Sequence, residues 1–393
     1  MNKEKQQFVI DFIESEFPRR FSVKTCFSEH KNVLEKWLSI LNHAHSELQT
    51  LTIPISSTTM EKITDQELTY IPKTQYNDLV SQAYTCIQYT FVVKHSVLRH
   101  FHVHLYFPLG KKVSTSQLQT IVTKIFLWFS FVSRFSSSHC SKTMNIHLFM
   151  VDNNKELPDL FSPLGPYHVN SAFTTSCKPE TSMYIYREEE WFKVMMHESF
   201  HNMGLDFSHV DELYGNKALL AVFPNIKAKS IRIYESYCET WATFFQCFFK
   251  AFLTTQKKTN TNLICKKTKQ LLEKECIYSM LQSTRILNYY GFTYHSFIDV
   301  MQQGKMVEHT NVFSYYIIKT ILLCHFDSFW TWCKRNNKNI LQFTNDLKTI
   351  DSYIELIIML YKKPDFLNMI NKTQEVINKY NKQDKSLRMT LYG

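Results

Sequence analysis

The sequence predicts an α+β protein: a small mixed sheet between a helical N-terminal lobe and a mainly helical C-terminal half. Three observations predict this class. Apolar residues recur three and four positions apart in residues 1–50, as in helices. In residues 84–107 they recur every second position, as in strands, and after residue 231 the helical spacing returns. With 44% hydrophobic and 20% charged residues, the 393-residue chain is typical of a folded protein with two or three lobes.

The N-terminal lobe is predicted over residues 1–80. Residues 3–17 and 30–48 form two helical patterns, and a loop rich in Thr, Ser and Pro is expected near residues 51–60.

The middle of the chain, residues 81–255, is predicted to hold the sheet and two key helices. Residues 84–95 and 99–110 alternate like paired strands, and a helix over residues 114–135 has Ser114 or Ser116 as its N-cap. Further predicted elements are strands at 144–152 and 182–187, a short extended piece at 169–175, and helices at 188–204 and 231–253. Helix 188–204 has acidic residues in its predicted first turn and Gly204 at its C-terminal end. Residues 256–393 form a helical C-terminal subdomain.

Composition narrows the function classes. Seven glycines and no phosphate-binding glycine motif argue against nucleotide chemistry. The N-terminus does not resemble a signal peptide, and the most apolar windows are too short to span a membrane. Ten cysteines without a CxxC pair are therefore expected to be reduced thiols in a cytoplasmic protein, with no disulfide. The net charge of +10 permits contact with nucleic acid, although no motif supports it.

The segment HESFH, residues 197–201, carries the strongest chemical signal. On a helix, His197 and His201 lie on one face and can bind one metal ion, while Glu198 lies about 100° around the axis and can reach a water at that ion. This arrangement is what zinc-assisted hydrolysis requires. Composition predicts only about 0.06 matches to such a pattern by chance.

A third ligand is needed, and the sequence offers several candidates. Glu239 is preferred, because Glu239, Ala242 and Phe245 have the spacing of a glutamate helix that packs against the histidine helix. Glu235, one turn earlier, would then orient a ligand imidazole. His209 and Asp206 are the other candidates for this neighbourhood, with Asp206 placed to orient a histidine. Tyr234, Tyr237 and His209 are candidates for stabilising a transition state.

These motifs resemble those of the zincin metallopeptidases, and more narrowly the gluzincin-like branch with a downstream glutamate ligand. The resemblance covers about residues 85–250 and rests on HESFH, on ETWATFF at 239–245, and on the order of strands and helices. VNSAFTT, YIYREEEWFKV and HNMGLDFS are also similar, more faintly, to segments of zincin-like proteins of nucleocytoplasmic large DNA viruses.

The resemblance implies a zincin-like core with one Zn²⁺ per chain, Glu198 as general base and a polypeptide substrate bound along an edge strand. Residues expected to supply that strand are Asn170, Ser171, Ala172 and Phe173. The expected function is a zinc metallopeptidase of the cytoplasm, or of the host cytoplasm or virion if viral. The alternative is a zincin-fold protein that does not catalyse and acts in binding or assembly.

Overall fold

A six-stranded mixed sheet surrounded by helices forms the protein, which confirms the predicted α+β class. A computed structural model describes residues 3–17, 31–62, 68, 70–211, 213–302, 304–380 and 384–393. In the described part of the chain, no helix is both long enough and apolar enough to cross a membrane.

The main sheet combines antiparallel and parallel strand pairs. Its strands are β1 (Ile55–Met60), β2 (Tyr84–Lys94), β3 (Leu98–Pro108), β4 (Thr143–Phe149), β5 (Ala172–Thr174) and β6 (Glu180–Ile185), in the spatial order β1-β2-β3-β4-β6-β5. β3, β4 and β6 run parallel, and the remaining neighbours pair antiparallel. β5 therefore lies at an edge of the sheet. A separate parallel pair joins β7 (Ile226–Lys227) to β8 (Met306–Val307).

The loop predicted for residues 51–60 was wrong over most of its length. Residues 55–60 form β1, which pairs with β2 in a register that places Thr58 opposite Cys86. Five of the six residues of β1 are exposed, so the segment lacks the apolar alternation that identifies a half-buried strand. Backbone pairing with β2 makes it a strand.

Helices cover the sheet and make up the C-terminal half. They are α1 (Lys3–Glu16), α2 (Lys31–Thr50), α3 (Lys73–Val80), α4 (Thr115–Val132), α5 (Pro166–Val169), α6 (Trp191–Asn202), α7 (Asn216–Val222), α8 (Ile233–Leu253), α9 (Thr261–Tyr289), α10 (Tyr294–Phe297), α11 (Lys319–Cys324), α12 (Phe326–Asn336), α13 (Leu347–Leu360) and α14 (Pro364–Tyr380). A π-helical turn, Phe313–Ile318, leads directly into α11. Ser114 caps α4 through a capping box with Gln117, as one of the two predicted N-caps.

One aromatic cluster joins the three predicted segments of the chain. The ring of Trp37 in α2 lies 5.7 Å from that of Phe131 in α4, 6.2 Å from that of Trp241 in α8 and 5.1 Å from that of Trp330 in α12. These side chains belong to a single apolar core that contacts both the sheet and the C-terminal helices. The cluster therefore packs α8 against α2, α4 and α12, whereas the segment boundaries at residues 80 and 255 remain predictions.

The expectation that all cysteines are reduced was wrong for one pair. Cys140 and Cys177 form a disulfide, with their Cα atoms 4.8 Å apart. The two residues are 37 positions apart, and spacing alone does not reveal such a pairing because the turn between β5 and β6 brings Cys177 to the loop before β4. Cys26 lies outside the described residues, and the other seven cysteines are free thiols.

Candidate metal centre and its cleft

α6 carries the HESFH segment between the sheet and α8. The helix begins at Trp191, after Glu190, whose φ of 62° is left-handed, and it ends at Asn202, with Met203 as its C-cap and Gly204 following with φ 66°. Gly204 thus occupies the C-terminal position predicted for it. The hydroxyl of Ser199 accepts a hydrogen bond of 2.9 Å from the indole of Trp128, which fixes the helix against α4.

His197 and His201 direct their Nε2 atoms toward a common point. These two atoms are 3.1 Å apart, and Glu235 Oε2 lies 3.0 Å from Nε2 of His197 and 3.5 Å from Nε2 of His201. Glu235 comes from the first turn of α8, which packs against α6. Two imidazoles and one carboxylate therefore converge from two helices.

The two glutamates of α8 exchange the positions that we predicted for them. Glu239, the preferred third ligand, lies instead with its Oε1 2.9 Å from Nδ1 of His197, on the far side of that imidazole from the common point. Glu235 takes the place expected of Glu239. The two residues share one helix face one turn apart, so the choice depends on how far α8 is displaced along its axis relative to α6.

Asp206 holds the second imidazole. Its Oδ2 lies 2.6 Å from Nδ1 of His201, which is the orienting role that its sequence position indicated. Each histidine thus contacts a carboxylate through Nδ1, and both Nε2 atoms face the common point. The thiol of Cys238 lies 3.9 Å from both Nδ1 of His201 and Asp206.

Buried carboxylates outnumber the fixed cations around this point. Glu198, Glu235, Glu239 and Asp206 are each less than 10% exposed, and Lys193 forms an ion pair with Glu239. Burial lowers the pKa of both histidines, but it is outweighed by Glu235 and Glu239 at His197 and by Cys238 and Asp206 at His201, so the pKa of each imidazole is raised. Burial raises the pKa of Glu235, but its contacts with His197 and His201 bring the pKa down to about 2. A bound cation would balance this excess negative charge.

The donor atoms fit a tetrahedral zinc ion. Bonds of about 2.0–2.1 Å to nitrogen and oxygen place tetrahedral donor atoms roughly 3.3 Å apart. The separations of 3.0, 3.1 and 3.5 Å among Nε2 of His197, Nε2 of His201 and Glu235 Oε2 bracket that value. Two nitrogens and one oxygen are also a donor set that zinc accepts, with a fourth position left for water or substrate.

A buried segment near the end of the described chain, residues 389–390, contacts residues at the start of α6. Lys193 donates to Glu239 and also lies 3.6 Å from Sδ of Met389. Glu190 accepts from the backbone N–H groups of Met389 and Thr390 and from Lys155. The expectation that Glu188–Glu190 form the acidic first turn of the helix was wrong, because these residues precede α6, which begins at Trp191.

A cleft of about 1130 Å³ opens onto His197, Glu198, His201 and Glu235. The edge strand β5 lines it through Ala172, Phe173 and Thr174. Asn202 at the end of α6 donates to the hydroxyl of Thr174 over 3.0 Å, which ties β5 to the histidine helix. Asn170 also lines the cleft but caps the short helix α5, and Ser171 is buried just before β5, so the predicted edge strand begins two residues later than Asn170.

Burial raises the pKa of Glu198, the predicted general base, despite the two neighbouring histidines. A carboxylate whose pKa lies above its ordinary value holds an abstracted proton more readily near neutral pH. Glu198 lines the cleft beside both histidines, where a base for a water molecule is needed.

The candidates for stabilising a transition state lie in different surroundings. The ring of Tyr234 is 5.8 Å from that of His201 and lines the cleft. Tyr237 is buried away from the cleft and donates to the carbonyl of Leu341 over 2.8 Å, and His209 is exposed and does not line the cleft.

Tyr315 is a cleft residue that the sequence did not identify. It lies in the π-helical turn, and its ring is 5.9 Å from that of His197. Asn311 donates to Glu235 Oε1 over 3.1 Å and to the hydroxyl of Tyr315 over 3.3 Å. Neither residue belongs to a recognisable motif, although π-helical turns occur often at functional sites.

Comparison with known proteins gives one informative similarity. The chain is 26% identical over 220 residues to uncharacterized protein R210 of Acanthamoeba polyphaga mimivirus. The aligned region covers 52% of this chain and 53% of the mimivirus protein. The chain thus spans about half the length of this relative. No family model and no solved structure matches the chain. The similarity supports the resemblance to viral proteins.

Proposed function

We propose that the protein is a zinc-dependent metallopeptidase of the zincin type, which hydrolyses peptide bonds of a protein substrate. The observation that carries the proposal is the convergence of Nε2 of His197, Nε2 of His201 and Glu235 Oε2 beside Glu198 in an open cleft. These three residues would hold one Zn²⁺ per chain. The similarity to a mimivirus protein favours a viral protein acting in the host cytoplasm or the virion.

Zinc bound by this donor set supplies positive charge that polarises a peptide carbonyl and lowers the pKa of a nearby water. Glu198 takes the proton of the attacking water and passes it to the nitrogen of the leaving amine. Glu239 lies 2.9 Å from Nδ1 of His197 and Asp206 2.6 Å from Nδ1 of His201, so both carboxylates favour a proton on Nδ1, which would leave the lone pair of each Nε2 for the metal.

The cleft suits an extended polypeptide. Its volume of about 1130 Å³ exceeds the roughly 300–1,000 Å³ of ordinary small-molecule sites. β5 is an edge strand that lines the cleft, so its outer backbone groups are placed to pair with the main chain of a substrate.

Tyr315 and Tyr234 are cleft tyrosines whose rings lie 5.9 Å from that of His197 and 5.8 Å from that of His201. Burial raises the pKa of both tyrosines, so each hydroxyl keeps its proton at neutral pH and can donate to a developing oxyanion. We favour Tyr315, because its hydroxyl is held by Asn311, which also holds Glu235.

The first test measures zinc content and peptide cleavage of purified wild type, Glu198→Gln, His201→Ala and His209→Ala. The last variant is a matched control, since His209 is an exposed histidine outside the cleft. We expect one zinc per chain in every protein except His201→Ala, and cleavage of a mixed peptide library by wild type and His209→Ala alone.

Two results would contradict the proposal. If wild type binds no zinc after reconstitution, HESFH is an accident of composition. If wild type binds zinc but cleaves neither the library nor unfolded proteins, the alternative of a binding or assembly protein with a zincin fold takes its place.

A further inference from the structure

One wall of the cleft carries three cations on a single short segment. Lys227, Lys229 and Arg232 all line the cleft that contains His197 and Glu198. The two lysines are exposed and Arg232 is half-buried. All three lie within six residues of chain, between the end of β7 and the start of α8.

The backbone of this segment is fixed. β7 pairs with β8, and the backbone N–H of Met306 donates to the carbonyl of Asn225 over 2.7 Å. The side chain of Asn225 donates to three carbonyls, those of Ser296, Phe297 and Asp299. The N–H of Ile231 donates to Asn216 over 3.2 Å. The charges are therefore presented from an anchored wall.

The carboxylates of the cleft do not neutralise the two exposed lysines of this wall. Among the described residues that line the cleft, the carboxylates are Glu198, Glu235 and Glu308. Glu198 and Glu235 face the metal site, where a divalent cation would balance their two charges. Glu308 accepts a hydrogen bond of 2.7 Å from the N–H of Phe313, and burial raises its pKa to about 8, so it is largely uncharged at neutral pH.

We propose that the cleft selects polypeptides with acidic side chains near the bond to be cleaved, and that Lys227 and Lys229 determine this preference. The inference rests on the proposed function, for which it names the substrate class. A surface of one charge inside a cleft attracts the opposite charge and disfavours its own. The edge strand β5 in the same cleft favours a polypeptide over another polyanion, because its backbone groups pair with a main chain.

The test measures binding separately from cleavage. Two fluorescent peptides of equal length are compared, one with Asp and one with isosteric Asn at the same positions around a central neutral pair. Their affinities are measured by anisotropy on zinc-loaded Glu198→Gln, at low and at high ionic strength. We expect the Asp peptide to bind about tenfold more tightly at low ionic strength, with the difference shrinking as salt screens the charges.

Charge-reversal variants identify the wall that is responsible. In the Glu198→Gln background, Lys227→Glu with Lys229→Glu should abolish or invert the preference. Lys257→Glu with Lys266→Glu makes the same change in net charge at exposed lysines that do not line the cleft, and it should leave the preference in place.

Equal affinity for the two peptides, or equal loss in both double variants, would overturn the inference. So would tighter binding of a single-stranded oligonucleotide than of the Asp peptide in the same assay, since that result would assign the wall to nucleic acid. Failure of the proposed function would appear separately, as an absence of cleavage by zinc-loaded wild type, whatever the binding preference.

Discussion

Two glutamates one turn apart on α8 have different contacts and therefore different expected roles. Glu235 meets Nε2 of both histidines, whereas Glu239 lies between Nδ1 of His197 and Lys193. A carboxylate at the metal contributes a bond, while a carboxylate behind an imidazole only orients it.

We predict that Glu235→Ala loses zinc and that Glu239→Gln keeps one zinc per chain with about 10–100-fold weaker affinity. Competition with a chromophoric chelator measures both affinities. Glu239→Gln keeps the size of the side chain and an oxygen that can face His197, so it is the conservative comparison. Complete zinc loss in Glu239→Gln, with retention in Glu235→Ala, would restore the original choice of Glu239 as ligand.

Tyr315 provides a prediction about catalysis alone. Removing its hydroxyl leaves the ring packed near His197, so Tyr315→Phe should keep zinc affinity and KM and should lower kcat by about 10²-fold. Tyr237→Phe is the control, because Tyr237 is buried away from the cleft and its loss should affect stability and leave kcat unchanged. An unchanged kcat in Tyr315→Phe would transfer the role to Tyr234.

Glu308 makes stability depend on pH. Burial raises its pKa from the model-peptide value of 4.5 to about 8 in the folded protein. Between these two values the folded state keeps a proton that the unfolded state releases, so the free energy of unfolding falls as pH rises through this window. Below the window both states are protonated and the contribution is fully present.

We predict that wild type loses up to a few kcal/mol of stability between about pH 5 and pH 8, relative to Glu308→Gln. Glutamine keeps an acceptor for the N–H of Phe313 but cannot ionise. Urea unfolding of both proteins across this range measures the difference. If the free energy of unfolding depends on pH in the same way for both proteins, burial does not raise the pKa of Glu308.

At the scale of the element, the end of α6 depends on Gly204. Its φ of 66° is left-handed, and a Cβ at this position would lie 2.7 Å from Sγ of Cys140 and 3.3 Å from Cβ of Ser137. Gly110 also has a positive φ, 91°, but a Cβ there would meet nothing within 4 Å. Alanine at Gly110 would therefore introduce backbone strain alone, whereas alanine at Gly204 would add a steric clash to that strain.

We predict that Gly110→Ala costs about 1–2 kcal/mol of stability, the ordinary cost of a left-handed alanine, and that Gly204→Ala costs at least about 1 kcal/mol more. Chemical unfolding of both variants measures the difference. Equal costs would mean that the disulfide loop moves away freely from the end of the histidine helix.

At the scale of the whole molecule, the disulfide between Cys140 and Cys177 joins two loops that are 37 residues apart in sequence. It closes a loop that contains β4 and the edge strand β5, and both of its sulfur atoms lie close to Gly204 at the end of α6.

We predict that Cys140→Ser lowers stability by about 2–4 kcal/mol, because the unfolded chain gains the freedom that the cross-link removes. A reductant should lower Tm of wild type and leave Tm of Cys140→Ser unchanged. Cys265→Ser, which alters a half-buried free thiol, is the control and should respond to reductant as wild type does. No effect of reductant on wild type would show that the two cysteines are unpaired in solution.

The sequence by itself determined the elements whose signal is local. The period-two pattern located β2 and β3, the i, i+4 histidines and the following glycine located α6, and the carboxylates of ETWATFF and its preceding turn placed two candidate ligands on α8. These patterns can be recognised in the sequence because the hydrogen bonds of a helix or a hairpin join residues that are close in sequence.

Only the tertiary structure decided which glutamate meets the histidines, which tyrosine faces the cleft and which cysteines pair. Glu235 and Glu239 are equivalent by spacing, and the packing of α8 against α6 sets the offset that separates them. Met389, which contacts Lys193, and Tyr315, in a π-helical turn, both lie more than 100 residues after α6. Such contacts depend on how apolar faces pack across the whole core, and no pattern of neighbouring residues encodes that geometry.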